Sequence, residues 1–390
     1  MKLLLVLAAP LLTACPDTAA APRDVLDSQD SEALEASEAS EAETPDPAAE
    51  FATVVGRYDL LTTIAGLGAR SDAVAEWLPA YEGGLATLAE LSRPHTALAD
   101  DAGIVYIADK DAHAVRAVAA DGTITTLAGT GSVGDDGDLP APAATRRLDD
   151  PNGLWVRGDG VVYILDLGNG KIRRVSSSAD GRVMTTLILV PGGISEGRGL
   201  WVADDESEAF IASGTRLLHW TPAAGVSVYA SDFVQLGNLA VTKAGGVVTD
   251  LVVTDLMDHR VLRIDPSGHK TIIAGNGTTK ATGGTDDLQM DALEAGLDEV
   301  RAVWRLDTGG YLLGMQGGSQ IWYLDTGGVV RLFVDGGPHE VHAGDGEFFR
   351  SPGKKVSEVR AVTLAPNGDI LVTENDFGYV RKIRRRTDVP

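Results

Sequence analysis

The stretch that decides the fold is Gly103-Ile104-Val105-Tyr106-Ile107-Ala108-Asp109, followed by Ala114-Val115-Arg116 and Asp121-Gly122-Thr123-Ile124-Thr125-Thr126-Leu127-Ala128-Gly129. It returns as Gly160-Val161-Val162-Tyr163-Ile164-Leu165-Asp166, Lys171-Ile172-Arg173 and Asp180-Gly181-Arg182-Val183-Met184-Thr185-Thr186-Leu187. It returns again as Leu251-Val252-Val253-Thr254-Asp255, Arg260-Val261-Leu262 and Thr271-Ile272-Ile273-Ala274-Gly275. Each copy follows a short strand such as Gly153-Leu154-Trp155-Val156. One unit is therefore four short strands, a to d. β-Branched and aromatic residues fill the strands, and Gly, Asp or Asn mark the turns.

Weaker copies occupy 197–230 and 300–336, and a last one runs from Val359 to Ile383 with strands a, b and c but no d. The missing d strand stands at the other end of the repeat region. Leu60-Leu61-Thr62-Thr63-Ile64-Ala65-Gly66 matches Thr125-Thr126-Leu127-Ala128-Gly129 and has no a, b or c before it. Pairing the two closes a ring and removes its unpaired edges. The expected fold is all-β: a six-bladed β-propeller of four-stranded antiparallel blades, with the N-terminal strand closing the last blade.

The run Gly-apolar-Val-Tyr-apolar-x-Asp, the apolar-Arg pair after it and the Thr126-Leu127-Ala128-Gly129-Thr130-Gly131 ending resemble the NHL repeat family. The loop Gly134-Asp135-Asp136-Gly137-Asp138, with Ala143, Ala144 and Leu148, is similar to the inter-blade segment of teneurin-type propellers. The resemblance covers about 51–386 and implies the propeller. It implies no activity, because the fold hosts binders and enzymes alike.

What precedes the repeats reads differently. Lys2 and the apolar run Leu3–Leu12 fit a secretory signal peptide, 1–14, too short to span a bilayer. Leu12-Thr13-Ala14-Cys15 resembles a bacterial lipobox, which implies lipidation of Cys15, the single Cys of the chain. Cleavage after Ala21 is the alternative and would release a secreted protein. Residues 15–50 are expected to be a disordered acidic tether: 16–50 hold 11 acidic residues against one basic, Arg23. The propeller is expected over 51–390. One Cys excludes a disulfide framework and a Cys-based zinc site. A net charge of −23 excludes nucleic acid as a partner.

Several residues invite a functional reading. Asp109, Asp166, Asp255 and Glu374 share one position at the end of strand b, and repetition favours carboxylates that tie down turn N–H groups. Trp155, Trp201 and Trp304 share a position on strand a, where core packing is the expectation and a ligand platform the rival. His113 and His259 fall in b–c turns. His95, His339 and His342 fall in connections from strand d to the next strand a, and three imidazoles on one face are a candidate zinc site. The NHL resemblance brings in peptide-amidating lyases, which hold zinc with His, but their motif is not reproduced here. Asp135, Asp136 and Asp138, Asp286 and Asp287, and Asp345 with Glu347 are acidic loops that offer Ca²⁺ oxygen ligands without a complete set. No cofactor is expected.

The repeat region spends roughly 57 residues per blade, against the 40–45 usual for such repeats. The excess lies in 67–93, 130–150, 276–298 and 335–356, all d-to-a connections on one face. Short helices are expected over 85–91 and 288–297. The resulting expectation is a monomeric, lipid-anchored module of a bacterial cell envelope. It would bind an envelope protein or glycan through the loops around Asp135, Asp136, Asp138, Asp286, Asp287 and Asp345. The alternative is a metal-dependent lyase or hydrolase with its site on the propeller axis.

Overall fold

The computed structural model describes residues 46–68, 77–279, 289–337 and 341–388. The signal sequence, Cys15, most of the tether, Asp286, Asp287 and His339 lie outside the described residues. Six antiparallel sheets follow one another along the chain, in the a-b-c-d order expected of propeller blades. In blade 1 the strands are Pro94–Ala99, Val105–Asp109, Ala114–Val118 and Ile124–Ala128. In blade 2 they are Pro151–Val156, Val162–Asp166, Lys171–Val175 and Val183–Leu189. Blades 3, 4 and 5 run from Leu200 to Ala230, Leu236 to Ala274 and Val300 to Val334. Strand a of each blade touches strand a of both neighbours, so the six a strands surround the axis.

Blade 6 is closed by the two ends of the chain. Strands Val359–Leu364, Ile370–Glu374 and Tyr379–Arg385 are completed by Tyr58–Ala65. The pairing is antiparallel, with Leu61 opposite Ile383 and Thr63 opposite Arg381. Tyr58, Leu61 and Ala65 are buried by it.

The folded body includes residues before the expected boundary at 51. Pro47–Gly56 is an α-helix whose N-terminus is capped by the Asp46 carboxylate accepting from the Ala48 N–H at 3.0 Å. Val54 is fully buried with Leu312, Tyr323 and Phe333 of blade 5, and Phe51 stacks on Tyr323 at 5.9 Å. Glu50 accepts from the Tyr323 hydroxyl. The last residues assigned to the tether are thus part of the folded body, because Phe51 and Val54 supply an apolar helix face.

The long d-to-a connections run to the outside of the ring. Ala141–Pro142 adds a fifth strand beside strand d of blade 2, Gln289–Asp291 beside that of blade 5 and Glu347–Phe348 beside Tyr58–Ala65. In blade 1 a single bridge joins Leu85 to Thr123. The extra length therefore covers exposed sheet edges. The helix expected over 288–297 is replaced by this edge strand, and that over 85–91 shrinks to the 3-10 turn Ala86–Leu88.

Candidate functional site

The acidic loop residues chosen from sequence are bound into the ring. Asp135 accepts from Lys171 Nζ at 2.6 Å and Arg173 Nη2 at 2.7 Å. Its carboxyl is accordingly held far below the usual range despite partial burial, through Lys171 and Arg173. Asp138 accepts from the same Lys171 at 2.8 Å, and Asp136 from Arg147 at 2.6 Å. Asp345 pairs with Arg381 at 2.8 Å. Asp135, Asp138 and Asp345 thus clamp Lys171, Arg173 and Arg381 of strand c, while Asp136 holds Arg147 of its own connection.

The same holds for the acidic position at the end of strand b. Asp109 accepts from Arg116 Nε at 3.1 Å, Asp166 from Arg173 Nε at 2.8 Å and Glu374 from Arg381 Nη1 at 3.1 Å. Each also accepts a backbone N–H: Ser92 on Asp109, Asp149 on Asp166 and Ser357 on Glu374. Asp255 does this twice, for Val234 and Gln235. These N–H groups belong to the d-to-a connection, not to the b–c turn that the sequence suggested.

The described members of the expected zinc set do not meet. His342 stacks on Tyr379 at 3.5 Å between ring centres, and its Nδ1 accepts from Arg381 Nη1 at 3.2 Å. Its Nε2 donates to Thr63 Oγ1 at 3.2 Å, so neither nitrogen is left for a metal. His95 lies inside strand a of blade 1 and has other neighbours, Asn152 and Arg198. Among the described residues, the metal-capable cluster is instead His113 with Asp149 and Asp150. There His113 Nδ1 already accepts the Asp150 N–H at 3.2 Å, and Lys110 sits 3.2 Å from the Asp150 carboxylate. His259 accepts the Glu299 N–H in the same way at 3.1 Å. Both b–c imidazoles are inter-blade struts.

Sequence reasoning missed the groups that do converge. At its start, strand a slips by one residue against strand b in blades 1, 2, 5 and 6, and the residues passed over are His95, Asn152, Arg301 and Arg360. Arg198 holds the matching place just before blade 3. Such bulges re-aim a side chain. The backbones are close here: a Cβ on Gly153 would come within 2.1 Å of the Arg198 carbonyl oxygen, and one on Gly237 within 2.5 Å of that of Arg301. Glycine is required at both places.

The polar groups of this mouth can be assigned. Asn152 Nδ2 donates to the Gly197 carbonyl at 2.7 Å, which turns its Oδ1 towards His95 Nδ1. His95 Nδ1 therefore carries the hydrogen and donates to Asn152. Arg198 Nε lies 3.4 Å from the same Nδ1. A protonated nitrogen is no acceptor, so Arg198 Nε gains nothing from that contact. Arg198 Nη1, Arg301 Nε and Nη1, and Arg360 Nε are buried with no acceptor among the described residues. Arg360 is otherwise held by Glu358 at 2.8 Å and Gln316 at 3.0 Å. Burial, then the Arg360 charge, pushes Arg198 down to about 9. Burial, Arg198 and Arg360 hold His95 well below its ordinary value, so the imidazole is neutral.

Below this layer, Thr96 and Asn238 line a cavity of about 30 Å³. Three residues further along strand a than Asn152, Arg198 and Arg301 stand Trp155, Trp201 and Trp304. Trp155 packs on Trp304 at 6.2 Å and on Trp201 at 6.3 Å, closing the axis. The tryptophans are a floor, as the packing reading required.

No protein-family model and no curated protein matches the chain. Solved structures do. A structural-genomics protein of unknown function from Bacteroides thetaiotaomicron is similar at 14% identity and TM-score 0.61, over 84% of this chain and 76% of that one. An auxiliary nutrient binding protein from the same organism gives 13% identity and TM-score 0.59, over 83% and 76%. A gluconolactonase from Xanthomonas campestris gives 12% and TM-score 0.52, over 86% and 93%. At these identities the likeness shows the propeller fold and nothing finer.

Proposed function

We propose that the protein is a non-catalytic binding module held at a bacterial cell envelope through lipid on Cys15, and that it takes its ligand at the axial mouth. The carrying observation is the charge of that mouth. Arg198, Arg301 and Arg360 hold matching places at the start of strand a in three blades, each with a buried donor that has no acceptor among the described residues. Their company is a neutral His95, Asn152 and one carboxylate, Glu358, which is already bound to Arg360. A dication placed there would face three guanidinium groups, which opposes the metal-dependent lyase or hydrolase reading. The acidic loops, bound to Lys171, Arg173, Arg147 and Arg381, support the ring instead. The names of the neighbours include both a nutrient binding protein and a gluconolactonase, so they do not choose between binder and enzyme.

The test is native mass spectrometry of the full chain after incubation with small molecules and glycans of an envelope extract. A ligand retained at unchanged mass, and lost in Arg198→Met, is expected. Recovery of a cleaved or eliminated product would make the protein an enzyme, and a ligand retained equally by Arg198→Met would move the site elsewhere. Cys15→Ser should shift the protein from the membrane to the soluble fraction.

A further inference from the structure

We infer that the axial mouth is an oxyanion site, in which Arg198, Arg301 and Arg360 receive a carboxylate or phosphate group carried at one end of the ligand. This rests on the reading of the mouth as the ligand site and names the chemistry it would take.

The ring itself supplies the standard of comparison. Its fully buried arginines Arg116, Arg173 and Arg381 each face a carboxylate at 2.8 to 3.1 Å. Arg331 faces Asp325. Arg301 and Arg198 break this pattern, while Arg360 keeps one carboxylate, Glu358 at 2.8 Å, and a spare Nε. Arg301, 4% exposed, makes no side-chain hydrogen bond or ion pair among the described residues. Arg198 has only the contact to a protonated imidazole nitrogen. Unpaired buried cations are strongly unfavourable, so such an arrangement is kept where a partner of opposite charge completes it.

The chemistry narrows the partner further. A neutral ligand would accept hydrogen bonds but leave the charges uncompensated, and a cation would be repelled. A planar guanidinium matches the two oxygens of a carboxylate or phosphate, and forms shorter, stronger bonds to an ionised acceptor than to a neutral one. The cavity beneath is small, about 30 Å³, and Trp155 and Trp304 line it. The anionic group must therefore enter end-on, with the rest of the ligand outside the ring.

Calorimetry on the full chain with inorganic phosphate and, separately, acetate tests this. One anion per chain is expected to bind. Losing a charged hydrogen bond should weaken it about tenfold or more in Arg301→Met, and similarly in Arg198→Met. The ligand-free variants should melt no lower than the parent, because an uncompensated buried charge has been removed. Phosphate binding tighter than acetate indicates a phosphorylated ligand, and the reverse a carboxylate. If a variant does not fold, the parent still decides the matter: millimolar phosphate or acetate must raise its melting temperature more than chloride at equal ionic strength. Failure of both anions to do so overturns the inference, as does equal binding by parent and variants. A neutral envelope ligand lost in Arg198→Met would overturn the oxyanion chemistry while leaving the axial binding site standing.

Discussion

The outer half of each blade and the axis of the ring handle arginine in opposite ways. On strand c, Arg173 is 1% exposed and held by Asp166 and Asp135 at 2.8 and 2.7 Å. At the axis, Arg301 is comparably buried and has no carboxylate among the described residues. Sequestering charge is costly in both places; the outer region supplies the counter-charge to Arg116, Arg173 and Arg381, whereas at the axis, among the described residues, Glu358 does so for Arg360 alone. Paired arginines are structure, and unpaired ones are chemistry waiting for a partner.

The largest effect should come from removing the outer strand that closes the ring. Deleting 46–66 takes away Val54, Tyr58, Leu61 and Ala65, all buried, and bares the edge of Tyr379–Arg385. The truncated chain should lose its cooperative melting transition and aggregate. A truncation that melts like the full chain would show that the outer half does not carry the stability assigned to it.

The comparison can then be put to a direct contrast. Arg173→Met leaves Asp166, fully buried, without its cation; burial already pushes that carboxyl up. It must take a proton or stand charged alone, and denaturant melts should show a loss of about 3–5 kcal/mol. Arg301→Met makes a substitution of equal size at the axis and should cost nothing in stability. If both lose the same amount, the axial arginine has a partner inside the chain and the contrast fails.

How the two regions were written into the sequence also differs. The blades were legible because the same four-strand unit recurs along the chain and its turns carry Gly or Asp, as in Asp121-Gly122 and Asp180-Gly181. Closure was legible because Tyr58–Ala65 carries the strand d pattern with no blade of its own. The edge strand Gln289–Asp291 was not legible: its Ala- and Leu-containing neighbourhood suits a helix, and the pull of the open edge of blade 5 is a tertiary effect. The axial arginines did leave a signal. Glu299-Val300-Arg301-Ala302-Val303 repeats as Glu358-Val359-Arg360-Ala361-Val362, and Glu196-Gly197-Arg198-Gly199-Leu200 is a third version. Apolar periodicity does not weigh such a residue. Only the bulge at the start of strand a shows that it faces the axis.

A smaller effect is expected from pH at the outer region. His342 is pushed down to about 4 by burial and by Arg381, against the opposing charge of Asp345. Its ordinary value is 6.5. The folded protein therefore resists the proton that the unfolded chain accepts. The stability from neutral His342 is fully present above pH 6.5 and is lost as pH falls towards 4. The loss should approach about 3 kcal/mol at pH 4. Melts of the parent and of His342→Gln at pH 7 and pH 4.5 check this: the parent should lose more. An equal loss in both would mean that the acid sensitivity lies elsewhere.

The smallest effect belongs to the loop that the sequence favoured as a binding surface. Asp136 accepts from Arg147 at 2.6 Å, with the Arg147 side chain 45% exposed, so solvent and salt screen the pair. Asp136→Asn should move the melting temperature by no more than about 2 °C. It should also leave phosphate and acetate binding unchanged, since the axial donors belong to Arg198, Arg301 and Arg360. Calorimetry of Asp136→Asn beside Arg301→Met ranks the two regions in one experiment. If Asp136→Asn abolishes ligand retention while Arg301→Met spares it, the working surface is the acidic loop after all, and the unpaired arginines are only a cost carried by the fold.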